Sequence, residues 1–233
     1  DDDQARAFRA IGAPADRVDV GGNLKLETGT VVEPTRGQRP HIIAGSTHAP
    51  EEIWILDAVA ALRAEGLVCD LTLAPRHRHR APAVRRAAAA RGLGDARVID
   101  TMGQLRDLYS TADLAVMGGT LAPIGGHNIV EPASAGCAVV IGSHVHLIRP
   151  LVAGLREAGA LVELPADGSP SAALADVLRA LLRDPERRRA LGRRARAWCA
   201  AQRGAAEHAA RRLVDAAGPG QLAAGSPSQD NTR

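Results

Sequence analysis

Aromatic residues are nearly missing: they make up 2% of 233 residues, as one Phe, one Tyr and two Trp. Proteins that read single-stranded nucleic acid stack bases on aromatic faces. Phe8, Tyr109, Trp54 and Trp198 are too few and too scattered for that, so no nucleic-acid partner is expected. Lysine is scarcer still. Lys25 is the one lysine among 29 basic residues, and the net charge of +3 is therefore an arginine charge. That balance leaves room for an anionic partner, either a phosphate ligand or an acidic membrane surface, without requiring one. The three cysteines, Cys69, Cys137 and Cys199, lie far apart with no C-x-x-C spacing, which argues against a disulfide framework and fits a reducing compartment. No apolar run approaches the length that spans a bilayer, and Asp1-Asp2-Asp3-Gln4 has neither region of a secretion signal. Taken alone, the chain is expected to be soluble and cytoplasmic.

With 45% hydrophobic and 24% charged residues, the composition is that of a globular protein with one ordinary core. From Arg39 onward, short apolar runs alternate with longer amphipathic stretches, the pattern of parallel strands joined by crossover helices. Strands are predicted at 41–45, 69–74, 97–99, 114–117, 138–141 and 160–163. Helices are predicted at 51–64, 81–91, 103–110, 130–135 and 148–158. Leu114 to Met117 and Ala138 to Ile141 are apolar on both faces, as central strands covered by helices must be. The fold class expected is α/β, a doubly wound Rossmann-like parallel sheet followed by carboxyl-terminal helices, through Leu182 and again from Glu186 to Leu213. Arg187-Arg188-Arg189 and Arg193-Arg194 on the last stretch could meet acidic lipid headgroups, but a solvated helix face is the favoured reading. Residues 1–38 read as a separate helical segment plus a linker, 39–217 as the α/β domain, and 218–233 as a disordered tail. The opening, without Met and inside an apparent helix from Gln4 to Ala10, predicts a piece of a longer chain.

In a doubly wound sheet the ligand sits outside the carboxyl ends of the strands, where strand order reverses. Three loops there are unusual. Ser46-Thr47-His48-Ala49-Pro50-Glu51-Glu52 enters a helix with hydroxyls and main-chain N–H groups that can hold phosphate or sugar oxygens. Capping by Ser46 or Thr47, with the glutamates complementing the helix dipole, accounts for it equally well. Arg76, in Pro75-Arg76-His77-Arg78-His79-Arg80, offers a planar fork for a phosphate or a base edge. His77 with His79, and His144 with His146, are poor metal sites, lacking a third ligand and, for the first pair, flanked by arginines. The third loop, from Gly118-Gly119-Thr120 through Gly125-Gly126-His127-Asn128 to Glu131-Pro132, matches neither G-x-G-x-x-G nor the Walker pattern. Its paired glycines predict exposed amides for a negative group. Asn128 and Glu131 are also spaced as a capping arrangement. A nucleotide satisfies both features, with amides facing the phosphate and Glu131 a ribose diol. Asp100-Thr101-Met102-Gly103-Gln104 either caps the next helix or presents backbone to a pyrimidine.

Gly22-Asn23-Leu24-Lys25, Gly45-Ser46-Thr47-His48 with Glu51-Glu52, Pro75-Arg76-His77, Asp100-Thr101-Met102-Gly103, Leu108-Tyr109, Ala112-Asp113 and G-G-H-N-x-x-E-P at Gly125 to Pro132 recur in order over roughly the first 160 residues. Together they resemble the 3-deoxy-D-manno-octulosonic acid (Kdo) transferases of lipopolysaccharide synthesis. The resemblance implies a GT-B glycosyltransferase, of which this chain is similar to the carboxyl-terminal, donor-binding half. It implies a CMP-Kdo donor, no cofactor and no metal. The acceptor would be a lipid A precursor, reached through the other half, at the cytoplasmic face of the bacterial inner membrane. Arg76 and Thr101-Met102-Gly103 would hold cytidine and Glu131 the ribose. Gly119, Thr120, Gly125, Gly126, His127 and Asn128 would surround the phosphate and sugar, with Ser46, Thr47 and His48 lining the cleft. The catalytic base would lie in the other half, which leaves this chain inactive alone. Gln104, Leu26-Glu27 and Gly142 to Leu147 depart from the family pattern, the last near the sugar. Two alternatives stay open: a non-catalytic or remnant nucleotide-binding module, and a GT-B enzyme using another sugar nucleotide.

Overall fold

The computed structural model describes residues 2–22, 24, 35–101 and 103–217. Asn23 and Lys25 of the first motif, Leu26-Glu27, Met102 and the tail 218–233 lie outside the described residues, as does most of the linker. Six strands form one parallel sheet: β1 (His41–Thr47), β2 (Asp70–Pro75), β3 (Arg97–Val98), β4 (Leu114–Met117), β5 (Ala138–Ile141) and β6 (Leu161–Glu163). Their order is β3-β2-β1-β4-β5-β6, so strand order reverses between β1 and β4. Ile42 stands in register between Leu71 and Leu114, and Leu114 in turn faces Ala138.

The sheet is joined in the chain by helices α1 (Asp2–Ala10), α2 (Glu51–Ala64), α3 (Ala81–Ala89), α4 (Gln104–Leu108), α5 (Val130–Ser134), α6 (Arg149–Glu157), α7 (Pro170–Arg183), α8 (Pro185–Ala201) and α9 (Ala205–Ala217), with short 3-10 turns at Ala15–Arg17, Arg78–Arg80 and Tyr109–Thr111. The period-two geometry of a strand sends alternate side chains to opposite faces. Ile42, Ala44, Leu73, Leu114, Val116 and Val140 accordingly bury themselves against Ile55, Leu56, Val59 and Leu62 of α2 and Leu174 and Leu178 of α7. Ile43 and Ala115 pack on the other face with Tyr109, Ala112 and Cys137. This two-sided burial is what makes the strands continuously apolar. The three cysteines are buried, and none of them forms a disulfide among the described residues.

The predicted long helix from Glu186 to Leu213 is two helices. Gly204, at a φ of +108° that side-chain-bearing residues avoid, turns the chain between α8 and α9. The arginines of α8 also divide. Arg187, Arg189, Arg193 and Arg194 are exposed, but Arg188 is buried, donating to the Leu181 carbonyl at 2.7 Å with its Nε 3.5 Å from Asp113. The contacts separate two units, one holding the described residues of 29–201, the other those of 1–28 and 202–233. In the second unit, His208 of α9 meets the Asp19 carboxylate at 2.9 Å. Among the described residues no helix is long and apolar enough to cross a membrane.

Candidate functional site

At its carboxyl end β1 carries an extra residue. Gly45 pairs with Ala74 and Thr47 with Pro75, leaving Ser46 as a bulge at a φ of +54°. β4 leaves the sheet directly over that bulge: a Cβ on Gly118 would lie 2.2 Å from the Ser46 carbonyl oxygen, so only glycine fits. The close passage brings the β1–α2 loop and the β4–α5 loop together at the reversal of strand order, the place where doubly wound sheets bind ligands.

Glu51 fastens the two loops. It opens α2, is fully buried, and its carboxylate accepts four main-chain hydrogen bonds, from His48 at 2.9 Å, Gly119 at 2.8 Å, and Leu121 and Ala122 each at 3.0 Å. The remaining glycine amides are engaged too. Gly118 donates to the Gly45 carbonyl at 2.8 Å, and Gly125 and Gly126 both donate to the Gly119 carbonyl, at 2.9 and 2.7 Å. The amides expected to face a phosphate are thus held by the chain's own carboxylate and carbonyls, because a buried turn must satisfy its donors internally. Neither Ser46 nor Thr47 caps α2, whose first turn has no side-chain cap. The Thr47 hydroxyl is buried without a hydrogen-bond partner. Thr120, also buried, donates from its hydroxyl to the Met117 carbonyl and accepts from the Gly142 amide at 2.9 Å, which ties β4 to β5.

Over this frame stand the side chains. His48 and His127, 79 residues apart in sequence, meet Nε2 to Nε2 at 2.7 Å with their rings stacked at 11°. Gly119 makes room for His127: a Cβ there would lie 3.0 Å from the ring. His77 sets an edge against His48 with ring centroids 5.4 Å apart, and His79 stacks on His77. Both His48 and His127 titrate below the ordinary histidine value, chiefly because burial disfavours the imidazolium; at His127 the neighbouring His48, Arg76 and His77 push further in the same direction. Arg76 is exposed on the loop after β2, its N–H donating to the Thr47 carbonyl at 2.8 Å. The half-buried Glu131 receives a hydrogen bond from the Asn128 side-chain amide at 3.1 Å, while the Asn128 oxygen accepts from the Val130 amide, so Asn128 ties the first turn of α5. Gly125 and Gly126 lie at φ of +113° and +93° with His146 and Ile148 against them, which seats the 142–148 segment on this turn.

Thr101 and Gly103 are exposed beyond the end of β3, one strand outside Arg76. Asp100 pairs with Arg85 at 2.7 Å and α4 has no side-chain cap, so capping does not explain that segment. Among the described residues no group of three or more His, Cys, Asp or Glu side chains could hold a metal ion. Sequence reasoning named His48 and His127 separately but not their pairing, and read Glu51 only as a dipole complement. The signal that could have found both was the rule that these two loops adjoin.

No protein-family model matches the chain. Among curated proteins, it is 32% identical over 196 residues to the 3-deoxy-D-manno-octulosonic acid transferase of Bordetella pertussis, spanning 76% of this chain and 44% of that protein. The enzyme of the same name from Chlamydia muridarum is 33% identical over 165 residues, 60% of this chain and 38% of the relative. The chain therefore spans less than half the length of these relatives. Among solved structures, the C-terminal CMP-Kdo binding domain of WaaA from Acinetobacter baumannii superposes with a TM-score of 0.60 at 24% identity, covering 84% of this chain and 96% of that one. By its sequence the chain belongs to the 3-deoxy-D-manno-octulosonic acid transferase family, and its doubly wound sheet is the carboxyl-terminal half of a GT-B architecture.

Proposed function

We propose that the chain is the donor-binding half of a Kdo transferase, taking CMP-Kdo in the crevice between the β1 and β4 loops. The acceptor, a lipid A precursor at the cytoplasmic face of the bacterial inner membrane, and the base that deprotonates its hydroxyl belong to the part of the relatives that this chain does not span. The supporting observation is the meeting of His48 and His127, each inside a family motif, at the reversal of strand order. Arg76 and the turn at Thr101 to Gly103 would take the cytidine side, and Glu131 the ribose diol. Asn128, His127 and the Gly125-Gly126 turn would line the sugar and phosphate.

Breaking the bond between sugar and phosphate builds positive charge on the sugar and negative charge on departing CMP. Cationic and N–H donors fixed around that phosphate lower the barrier, each by about 3 kcal/mol. Calorimetry of the 233-residue chain with CMP, UMP, ADP and GDP tests the reading. CMP should bind at least about tenfold more tightly than the others, a difference of about 1.4 kcal/mol. Equal affinity, or none for any of them, would overturn it. A preference for another nucleotide would favour a GT-B enzyme with a different donor, for which the altered segment Gly142 to Leu147, packed on Gly125, is the supporting feature.

A further inference from the structure

A phosphate entering the crevice finds the amides of Gly118, Gly119, Leu121, Ala122, Gly125 and Gly126 already bonded. Side chains share in answering its charge, and those grouped there are Arg76, His48, His127 and His77. Arg76 is charged at any relevant pH. The imidazoles are different. Nitrogens 2.7 Å apart must hold one hydrogen between them, so one ring donates from Nε2 and the other accepts. The donating ring, when neutral, keeps a lone pair on Nδ1. A proton added there makes it an imidazolium without moving either ring, and its bond to the partner becomes charge-assisted and stronger. The pair can therefore gain one positive charge in place.

Several groups set the balance in the free protein. Against the added proton stand burial, Arg76 and His77 on the loop after β2; for it stand Glu51 and Glu52 of α2. Those two carboxylates are committed elsewhere, Glu51 to four amides and Glu52 to Arg80 at 3.0 Å. A phosphate beside the rings is the missing counter-charge. We infer that the His48–His127 pair binds the nucleotide's phosphate with the uptake of one proton. The inference rests on the crevice being the nucleotide site.

Calorimetry of the 233-residue chain with CMP, in buffers of different ionisation enthalpy at about pH 7.5, reads the proton directly. The observed enthalpy should vary with the buffer's ionisation enthalpy with a slope of about one proton per CMP, and CMP affinity should fall by up to about tenfold per pH unit as the pH is raised. Cytidine, which lacks the phosphate, should give no slope. His48→Gln and His127→Gln should bind CMP more weakly and with the slope abolished. A buffer-independent enthalpy with CMP bound by the wild type would overturn the inference and leave the nucleotide reading intact. Absence of CMP binding would overturn both. A slope that persists in both variants would place the proton on another group and overturn the inference, whatever the variants' stability.

Discussion

Two glutamates on the loops of the same crevice do opposite work. Glu51 has no solvent contact and four main-chain donors around it, so its charge is solvated by the fold. Glu51→Ala would leave those amides buried without an acceptor, and unfolding in urea should report a loss of about 3 to 5 kcal/mol. Glu131 is half-buried and, among the described residues, is held by the Asn128 side-chain amide. Glu131→Ala should cost about 1 kcal/mol in the same assay, the value of one cap, while weakening CMP far more; if melting falls and affinity holds, its role is capping alone. The sequence places both residues at helix starts, and the capping spacing does bring Asn128 and Glu131 together. It could not distinguish Glu51, because what lies opposite that carboxylate comes from a loop about 70 residues later.

The strands were legible where burial is two-sided. Leu114–Met117 and Ala138–Ile141 have the predicted bounds, because continuous apolarity over a few residues has few other uses in a chain of this composition. Helix α2 also matches its predicted limits, whereas α3, α4 and α6 are shorter than expected, their ends being set by turns. Packing between helices left no such trace. A Cβ on Gly154 of α6 would lie 2.4 Å from the Trp198 ring of α8, so Gly154→Ala should destabilise by about 1 to 3 kcal/mol. In a Trp198→Leu background the same change should become neutral or favourable, since alanine is the better helix former by about 1 kcal/mol; thermal melts of the four proteins in that cycle measure it. The arginine helix offers a second contrast. Arg188→Ala strips a buried cation from Asp113 and should cost about 3 kcal/mol. Exposed Arg193→Ala should stay within about 0.5 kcal/mol in the same denaturation assay.

Across the molecule, His41, His48 and His127 all titrate below the ordinary histidine value, burial being the first cause at each. His41, which opens β1, has both ring nitrogens on hydroxyls, of Thr111 and Thr72. A histidine with a depressed native pKa binds fewer protons folded than unfolded, so stability falls as pH drops below about 6.5. The urea midpoint should therefore decline between about pH 7 and pH 5. His48→Gln with His127→Gln should flatten part of that decline, and a midpoint that rises on acidification would contradict the assignment. The sequence by itself determined the fold class, the places of its strands along the chain and the loops in which function would be sought, because these follow from local periodicity and from residues whose backbone preferences are their own. Only the tertiary structure decided that Glu51 closes the amide nest and that His48 meets His127. Both depend on segments distant along the chain becoming neighbours where β1 and β4 adjoin, and local preference carries no information about which groups a neighbouring strand will bring.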